Sequence, residues 1–280
     1  MNGRLFARRS TVVGLAIVVV LGVVALLAPW LAPHDPALMD PGSGFAGPSA
    51  GHWLGTDNLG RDLLSRLVYG ARWSLGLVLV ATLLIMTAGV AVGVAAGYVG
   101  GIADDVLMRL ADTILSVPSL LLGLAIVGTL GPGLGSLMIG LASIWWVGYA
   151  RVVRGLVLAL RERPFIDAAR ALGATDRRIV VRHILPSILP SVAVLASLEM
   201  GELVLAISGL SFLGLGAQPP TPEWGAMLND GRTFFFTAPQ LLLYPGLTIS
   251  MAVMGFNLLG DGLRDALDPM DAARLKRAGA

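Results

Sequence analysis

Residues 167–173 read Asp-Ala-Ala-Arg-Ala-Leu-Gly, and residues 183–186 read His-Ile-Leu-Pro. The pattern predicts two short helices, because Pro164 suits the start of the first, Gly173 suits a left-handed stop after it, and Pro186 suits the end of the second. This helical hairpin is polar and basic, whereas the chain on either side of it is strongly apolar. A hairpin of this polarity cannot lie in lipid, so it is expected to lie in water beside a membrane.

The composition is that of an integral membrane protein. Of the 280 residues, 55% are hydrophobic and only 14% are charged, and the mean hydropathy is +0.78. Soluble domains carry about 25% charged residues, which excludes that class here. Cysteine is absent from the sequence, and this excludes a disulfide framework and any cysteine-based metal site.

Six membrane-spanning helices are predicted, and the expected fold is therefore all-α. A span needs about 20 residues without ionisable groups, because each such group costs roughly 2.5–3.5 kcal/mol at mid-bilayer. The 113–150 stretch is long enough for two spans separated at Gly131-Pro132-Gly133, and the 184–222 stretch predicts one span followed by a loop. The uncharged stretches are 10–34, 73–103, 113–150, 184–198, 203–222 and 233–260.

The basic residues predict the orientation of the chain in the membrane. With the N-terminus in the cytoplasm, 16 of the 20 lysine and arginine residues lie inside and four lie outside, as the positive-inside tendency requires. Both termini and the hairpin are then cytoplasmic. The apolar run from Thr11 to about Ala32 is longer than the apolar core of a signal peptide, so an uncleaved anchor is expected rather than a cleavable signal.

Three regions follow from these spans. Residues 1–72 form an anchor helix and an outer segment, residues 73–262 form the transmembrane core with the cytoplasmic loop 161–190, and residues 263–280 form a cytoplasmic tail. In the outer segment, apolar residues between Leu63 and Val68 share one helical face, which predicts a short amphipathic helix along the membrane surface or against the bundle. In the outer loop 218–232, Thr221 is expected to cap a second short helix that starts at Pro222.

Two acidic residues lie inside a predicted span. Glu199 and Glu202 are three positions apart, so they share a face of the fifth helix, and exposing them to lipid would be costly. One interpretation is that they line a translocation pathway for a cationic or amino-terminal substrate group. Hydrogen bonding between helices is the alternative, and proton transfer in an ion-coupled transporter is another.

The hairpin resembles the "EAA" coupling loop in the membrane subunits of bacterial ABC importers, with Asp167 in place of the leading glutamate. Two outer segments resemble the peptide and nickel permeases of the dipeptide/oligopeptide "C" type. One is His-Trp-Leu-Gly-Thr-Asp at 52–57 followed by Gly-Arg-Asp at 60–62 and Ser-Arg at 65–66. The other is Ser-Phe-Leu-Gly-Leu-Gly at 211–216 followed by Gln-Pro-Pro-Thr-Pro-Glu-Trp-Gly at 218–225.

The resemblance implies a type I ABC importer permease in the bacterial inner membrane. Its partners would be a homologous second permease, two ATPase subunits that hold ATP and Mg²⁺, and a periplasmic or lipid-anchored solute-binding protein. Nucleic acid is not an expected partner. The residues expected to contact the ATPase are Asp167, Ala168, Ala169, Ala171, Leu172, Gly173, His183 and Pro186. Those expected to dock the binding protein or to form an outer gate are Gly60, Arg61, Asp62, Arg66, Glu223 and Trp224.

The chain is predicted to be a transport subunit and not an enzyme. No Gly-x4-Gly-Lys-Ser/Thr phosphate loop occurs, and the single lysine is Lys276. His34, His52 and His183 fall on both sides of the membrane, so neither a metal site nor a bound cofactor is expected. Short peptides are the expected substrate and nickel is the alternative. A self-sufficient ion-coupled transporter that uses Glu199 and Glu202 is the competing hypothesis, and a structural membrane subunit is a third.

Overall fold

The computed structural model describes residues 9–267, and this part of the chain contains helices but no β-strand. Its longer helices form one bundle, with short helices at the two ends. In chain order the helices are α1 (Arg9–Leu26), α2 (Ala28–Leu31), α3 (Leu63–Val99), α4 (Gly101–Leu115), α5 (Ser119–Leu130), α6 (Leu134–Arg161), α7 (Pro164–Ala171), α8 (Asp176–Ile179), α9 (Leu185–Phe212), α10 (Trp224–Gly231) and α11 (Gln240–Leu267).

Within residues 9–267, five helical segments are long and apolar enough to cross a membrane. The pair α4 and α5 adds a sixth span if it is counted as one, although its two helices meet at 88°. The predicted break between two spans is confirmed, because α5 ends at Leu130 and α6 begins at Leu134. The prediction of six spans therefore holds only if the bent pair is one of them.

The second span is longer than predicted. The helix α3 begins at Leu63, so the expected amphipathic surface helix forms the first turns of the span instead. Asp62 caps it by accepting a hydrogen bond from the Ser65 backbone N–H at 2.8 Å. Arg66 and Ser65 are buried against the preceding loop, so their polar face does not need to lie at a membrane surface. The predicted region boundary at residue 72 consequently lies inside α3.

Pro186 does not end a helix, and the prediction that it would is wrong. A π-helical turn at Val180–Ile184 joins α8 to α9, and the helical run continues from Asp176 to Phe212. Proline lacks a backbone N–H and crowds the carbonyl one turn earlier, and a π turn can take up such a defect without stopping the helix. The second helix of the hairpin is thus the start of the fifth span.

Glycines set the closest helix contacts. A Cβ atom on Gly93 of α3 would lie 2.6 Å from the Ala150 carbonyl oxygen of α6, and one on Gly97 would lie 2.9 Å from the Arg154 carbonyl oxygen. Gly89 approaches α6 in the same way, so glycines at every fourth position of α3 form a small-residue stripe that makes the contact between α3 and α6. Glycines make a second close contact between α1 and α11, where Gly14 of α1 meets Leu258.

The bundle has two distinct ends. We call the end with residues 34–62 and α10 the loop end, and the end with residues 161–184 the hairpin end. Of the predicted tail at 263–280, residues 263–267 are the last residues of α11, and the rest lies outside the described residues. The basic residues Arg4 and Arg8 also lie outside them.

Candidate functional site

The hairpin end has the local structure that the sequence predicts for its first helix. Pro164 occupies the first turn of α7, and Gly173 has a φ of +79°. The Ala174 N–H donates to the Ala169 carbonyl at 3.0 Å, and the Gly173 N–H donates to the Arg170 carbonyl at 2.9 Å. These bonds close the helix around a left-handed residue, where glycine is favoured because it has no Cβ atom.

Buried isoleucines attach this hairpin to the bundle, while its tip is exposed. Ile166, Ile179 and Ile184 have no exposed surface, whereas Leu172 is 88% exposed. Phe165 and Val181 are also large, apolar and exposed. An apolar tip on a polar hairpin is typical of a surface that another protein covers. Of the predicted coupling residues, Asp167, Ala168, Ala171, Leu172, Gly173 and Pro186 are exposed, and Ala169 and His183 are half-buried.

Polar contacts tie the hairpin and the end of α6 to the end of α3. The Tyr98 hydroxyl at the end of α3 donates to an Asp176 carboxylate oxygen at 2.6 Å. Arg161 donates to the carbonyl oxygens of Gly97 and Tyr98 at 3.4 and 3.3 Å. The sequence did not predict the bond between Tyr98 and Asp176, because 78 residues separate the two and no local pattern links them. This hydrogen bond links the second part of the hairpin to the end of α3.

Asp167 already has a partner within the chain. Arg170 donates to its carboxylate at 3.3 Å, and both side chains are largely exposed, at 41% for Arg170 and 68% for Asp167. Such a surface pair contributes little stability, so either charge can exchange partners at small cost. His183 lies further back, with its ring centroid 6.4 Å from that of Phe165.

The loop end is built on a compact turn at residues 55–62. Gly55 and Gly60 have φ values of +81° and +74°, and a side chain on Gly60 would collide with the Asp40 carbonyl. The Asp57 carboxylate accepts hydrogen bonds from the Leu59 N–H at 2.9 Å and the Arg61 N–H at 3.0 Å. The Gly-Thr-Asp-x-x-Gly-Arg-Asp motif thus specifies a folded turn.

Buried ion pairs hold this turn against α10. Arg61 Nε donates to Asp57 Oδ2 at 2.6 Å, and Arg61 Nη2 donates to Asp230 Oδ2 at 3.2 Å. Arg66 Nη2 donates to the same Asp230 oxygen at 3.1 Å. Both arginine side chains are only 2% exposed. Two cations and two anions balance here, as buried charges require.

Glu223 and Trp224 fix the start of α10. Glu223 caps the helix by accepting hydrogen bonds from the Gly225 and Ala226 N–H groups, both at 2.9 Å. Burial raises the pKa of the Glu223 carboxyl, although these hydrogen bonds oppose the shift. Trp224 Nε1 donates to the Leu67 carbonyl at 3.1 Å. The predicted cap at Thr221 with Pro222 in the helix is therefore wrong, since the longer Glu223 side chain reaches two N–H groups from two positions further on.

The expected docking surface is not available on this chain. Gly60, Arg61, Asp62, Arg66, Glu223 and Trp224 are all buried within it. Gly60 packs against Asp40, and the other five side chains bind the rest of the loop, α3 and α10, so another protein cannot touch these residues unless the loop end unfolds. This corrects the docking prediction; a role in an outer gate stays a prediction.

Replacing Trp224 tests whether the buried contacts hold the loop end together. We expect Trp224→Ala to destabilise the protein by about 3–5 kcal/mol, because a fully buried indole leaves a large cavity. Trp53→Ala is the matched control in the same region, since Trp53 is 68% exposed and its loss should cost less than about 0.5 kcal/mol. Thermal unfolding in detergent, followed by circular dichroism, measures both. Equal melting temperatures would contradict the structural role.

Glu199 and Glu202 differ in their burial. Glu199 is half-buried and lies against α6, where its Oε1 atom would be 3.3 Å from a Cβ atom on Gly148. Its Oε2 atom is buried beside the Tyr149 hydroxyl of α6, which is buried as well. Glu202 is exposed. One acid therefore faces a neighbouring helix and the other faces away from this chain.

The histidines also differ from the sequence expectation. His34 and His52 lie side by side at the loop end, with ring centroids 4.8 Å apart, and His52 Nδ1 is 2.9 Å from Asp62 Oδ1. Burial raises the pKa of the Asp62 carboxyl, but hydrogen bonds from Ser65 and His52 outweigh it, so this pKa lies below its ordinary value. The loop folds back over α3, which spacing along the sequence cannot reveal.

Matches to two known protein families determine the class of this protein. Residues 89–270 match the family described as binding-protein-dependent transport system inner membrane component, and residues 3–48 match the N-terminal transmembrane domain of oligopeptide transport permease C. The chain belongs to the ABC importer permease family of this type. The predicted resemblance is confirmed, and the ion-coupled transporter is excluded as an interpretation. The chain is a multi-pass subunit of the inner membrane.

Relatives of this permease are named for different substrates. It is 45% identical to the nickel transport system permease protein NikC of Escherichia coli (strain K12), over 96% of this chain and 97% of that protein. It is 45% identical to the dipeptide transport system permease protein DppC of Alkalihalophilus pseudofirmus, over 93% and 86% of the two chains. It is 42% identical to the glutathione transport system permease protein GsiD of Pectobacterium atrosepticum, over 95% and 89%.

A solved structure shares the fold. A chain of the methionine ABC transporter MetNI, in an inward-facing conformation, is similar with a TM-score of 0.56 and 21% identity. The similarity covers 74% of this permease and 98% of that chain. The predicted type I importer permease fold is confirmed.

Proposed function

We propose that this permease forms one half of a translocation pathway and receives mechanical work from an ATPase subunit through its hairpin. The observation that carries the proposal is the contrast within the hairpin, where Leu172 is 88% exposed while Ile166 and Ile179 are completely buried. A tip that is free to bind a partner, on a base that is locked to the spans, is what transmission of a rigid-body movement needs.

The path of the movement follows the hydrogen bonds at the hairpin end. An ATPase that closes on ATP would push on α7, and the bond from Tyr98 to Asp176 would pass this displacement to α3. The glycine contacts between α3 and α6 leave little free space, so the two helices would move together. In this scheme the hairpin end is cytoplasmic and the loop end periplasmic, as the basic residues favour.

The assembly contains further chains. A homologous second permease would complete the pathway, because one chain encloses only part of it. Two ATPase subunits would bind ATP and Mg²⁺, and a solute-binding protein would deliver the substrate to the loop end. Exposed Glu202, which faces away from this chain, suits a place on the pathway between the two permeases.

Short peptides are the proposed substrate. The dipeptide and glutathione permeases support this choice, and a carboxylate such as Glu202 can attract the amino group of a peptide. Nickel is a second candidate, because the nickel permease is 45% identical over 97% of its length. Uptake of a labelled dipeptide and of radioactive nickel into vesicles that contain the whole complex distinguishes the two.

Substitution at the hairpin tip tests the contact with the ATPase. We expect Leu172→Asp to leave the fold intact, since the side chain is exposed, and to reduce ATPase co-purification about tenfold or more, because a docked leucine contributes roughly 1.5–3 kcal/mol. Leu38→Asp at the loop end is the control, as Leu38 is 63% exposed and distant in the fold. If ATPase co-purifies equally with wild type and Leu172→Asp, the proposed contact is wrong.

A further inference from the structure

His34, His52 and Asp62 form a cluster at the loop end that the transport scheme does not use. Each offers one ligand atom, and these atoms all lie within 4.8 Å of one another. His52 Nδ1 is 2.9 Å from Asp62 Oδ1, and His34 Nδ1 is 3.8 Å from Asp62 Oδ2. The Asp62 side chain is 1% exposed, whereas those of His34 and His52 are 37% and 27% exposed. The cluster is therefore a buried carboxylate under two imidazoles that water can reach.

We infer that this cluster binds a late first-row divalent cation, of the class of Ni²⁺, Co²⁺ or Zn²⁺, through the two histidines and Asp62. Imidazole nitrogen and carboxylate oxygen suit these ions. Ligands placed about 2.1 Å from an ion lie roughly 3–4 Å from one another. The two distances from histidine to Asp62 are 2.9 and 3.8 Å, and all three ligand atoms lie within 4.8 Å, so a small shift of the two partly exposed imidazoles would close the site around an ion. Water would fill the coordination positions on the exposed side of the histidines.

An unpartnered nitrogen supports the inference independently of the spacing. His34 Nδ1 is buried and has no hydrogen-bond partner among the described residues, although it faces the Asp62 carboxylate. A buried polar atom without a partner costs free energy, and a bound cation would remove that cost. The negative charge of Asp62 would at the same time be neutralised.

The surroundings hold the ligands in place. Asp62 Oδ2 accepts hydrogen bonds from the Ser65 N–H at 2.8 Å and the Ser65 hydroxyl at 2.7 Å, which leaves Oδ1 directed at His52. The His34 backbone N–H donates to the Ser65 hydroxyl at 3.0 Å. Such second contacts orient metal ligands and strengthen binding. An ion here would clamp the loop that follows α2 onto the first turn of α3.

The test uses the full chain, purified in detergent with a tag that contains no histidine. Cobalt(II) is added, and its visible absorption together with calorimetry gives the stoichiometry and the affinity. We expect one site per chain, with affinity at least about tenfold weaker in His34→Ala and in His52→Ala. His183→Ala is the matched control, because it removes the chain's third histidine at the opposite end and should leave the affinity unchanged.

A second measurement tests the site in wild type, so that it does not depend on variants that fold poorly. In wild type, the ion is expected to slow hydrogen exchange in residues 34–62 and not in the hairpin. The ion could be a permanent part of the protein or cargo in transit, and metal analysis of the protein as purified separates the two. A stoichiometric ion in the purified protein indicates a permanent structural ion. A site that fills only when metal is added indicates transported cargo. Both results support the site. Equal cobalt affinity in wild type and the His34→Ala/His52→Ala double variant, or no protection of the loop, would overturn it, and the histidines would then serve only as hydrogen-bond partners of Asp62.

Discussion

Gly93→Leu is expected to prevent the permease from folding into a stable bundle. A Cβ atom at this position would lie 2.6 Å from the Ala150 carbonyl oxygen and 2.7 Å from the Val153 Cβ atom. The obstacle is the backbone of α6, which cannot rotate away as a side chain could. Overpacking typically costs about 1–3 kcal/mol, and separating two long helices should exceed that range. The yield of monodisperse protein after size-exclusion chromatography should fall at least severalfold.

Gly76→Leu is the control for this experiment. Gly76 lies on the same helix, α3, but it is exposed, and a Cβ atom there meets nothing within 4 Å. Leucine at this position also adds helix propensity, so the stability of the chain should stay the same or rise. If the Gly93→Leu protein elutes and melts like Gly76→Leu, the small-residue stripe does not set the packing of α3 on α6.

This stripe shows what the sequence could predict about the fold. Glycines at every fourth position indicate a close helix contact because their period matches one helical face, and such local periodicity survives folding. The break before α6 was predictable for the same reason, since Gly131 and Pro132 act on the backbone locally. Pro186 failed as a helix stop because a π turn at Val180–Ile184 precedes it and the helical run continues to Phe212, which a local pattern of proline does not indicate.

The functional sites show the same contrast between features set by local sequence and features set by distant residues. The hairpin was predictable because Pro164 and Gly173 specify its first helix and turn through their own backbone preferences. Arg61 and Trp224 were assigned to a docking surface because polar and aromatic residues in an outer segment are usually exposed. Their burial depends on Asp230 and Leu67, which are 169 residues from Arg61 and 157 residues from Trp224 along the chain. Contacts at such separation leave no local trace in a single sequence, and the same holds for His34 and Asp62.

Gly173→Val should reduce ATP-driven uptake about tenfold or more while leaving the spans folded. Gly173 has a φ of +79°, and a β-branched residue in that conformation costs about 1–3 kcal/mol. The space around it is open, so the cost comes from the backbone turn and not from a collision. The hairpin would relieve the strain by reorienting α7, which would displace Leu172 and Asp167 from the proposed contact with the ATPase. Because 1.4 kcal/mol corresponds to tenfold in an equilibrium, uptake by vesicles should fall about tenfold or more.

The conservative partner of this substitution is Gly173→Asn. Asparagine tolerates the left-handed region and is the second choice after glycine at this position of a helix end, so uptake should stay within about twofold of wild type. ATP hydrolysis measured in the same vesicles separates two ways of losing uptake: hydrolysis that continues without transport indicates a lost mechanical link, and loss of both indicates a lost ATPase contact. Either outcome places the force-transmitting step at the turn. Wild-type uptake in the valine variant, or an equal loss in the asparagine variant, would show that the geometry of this turn does not carry the coupling.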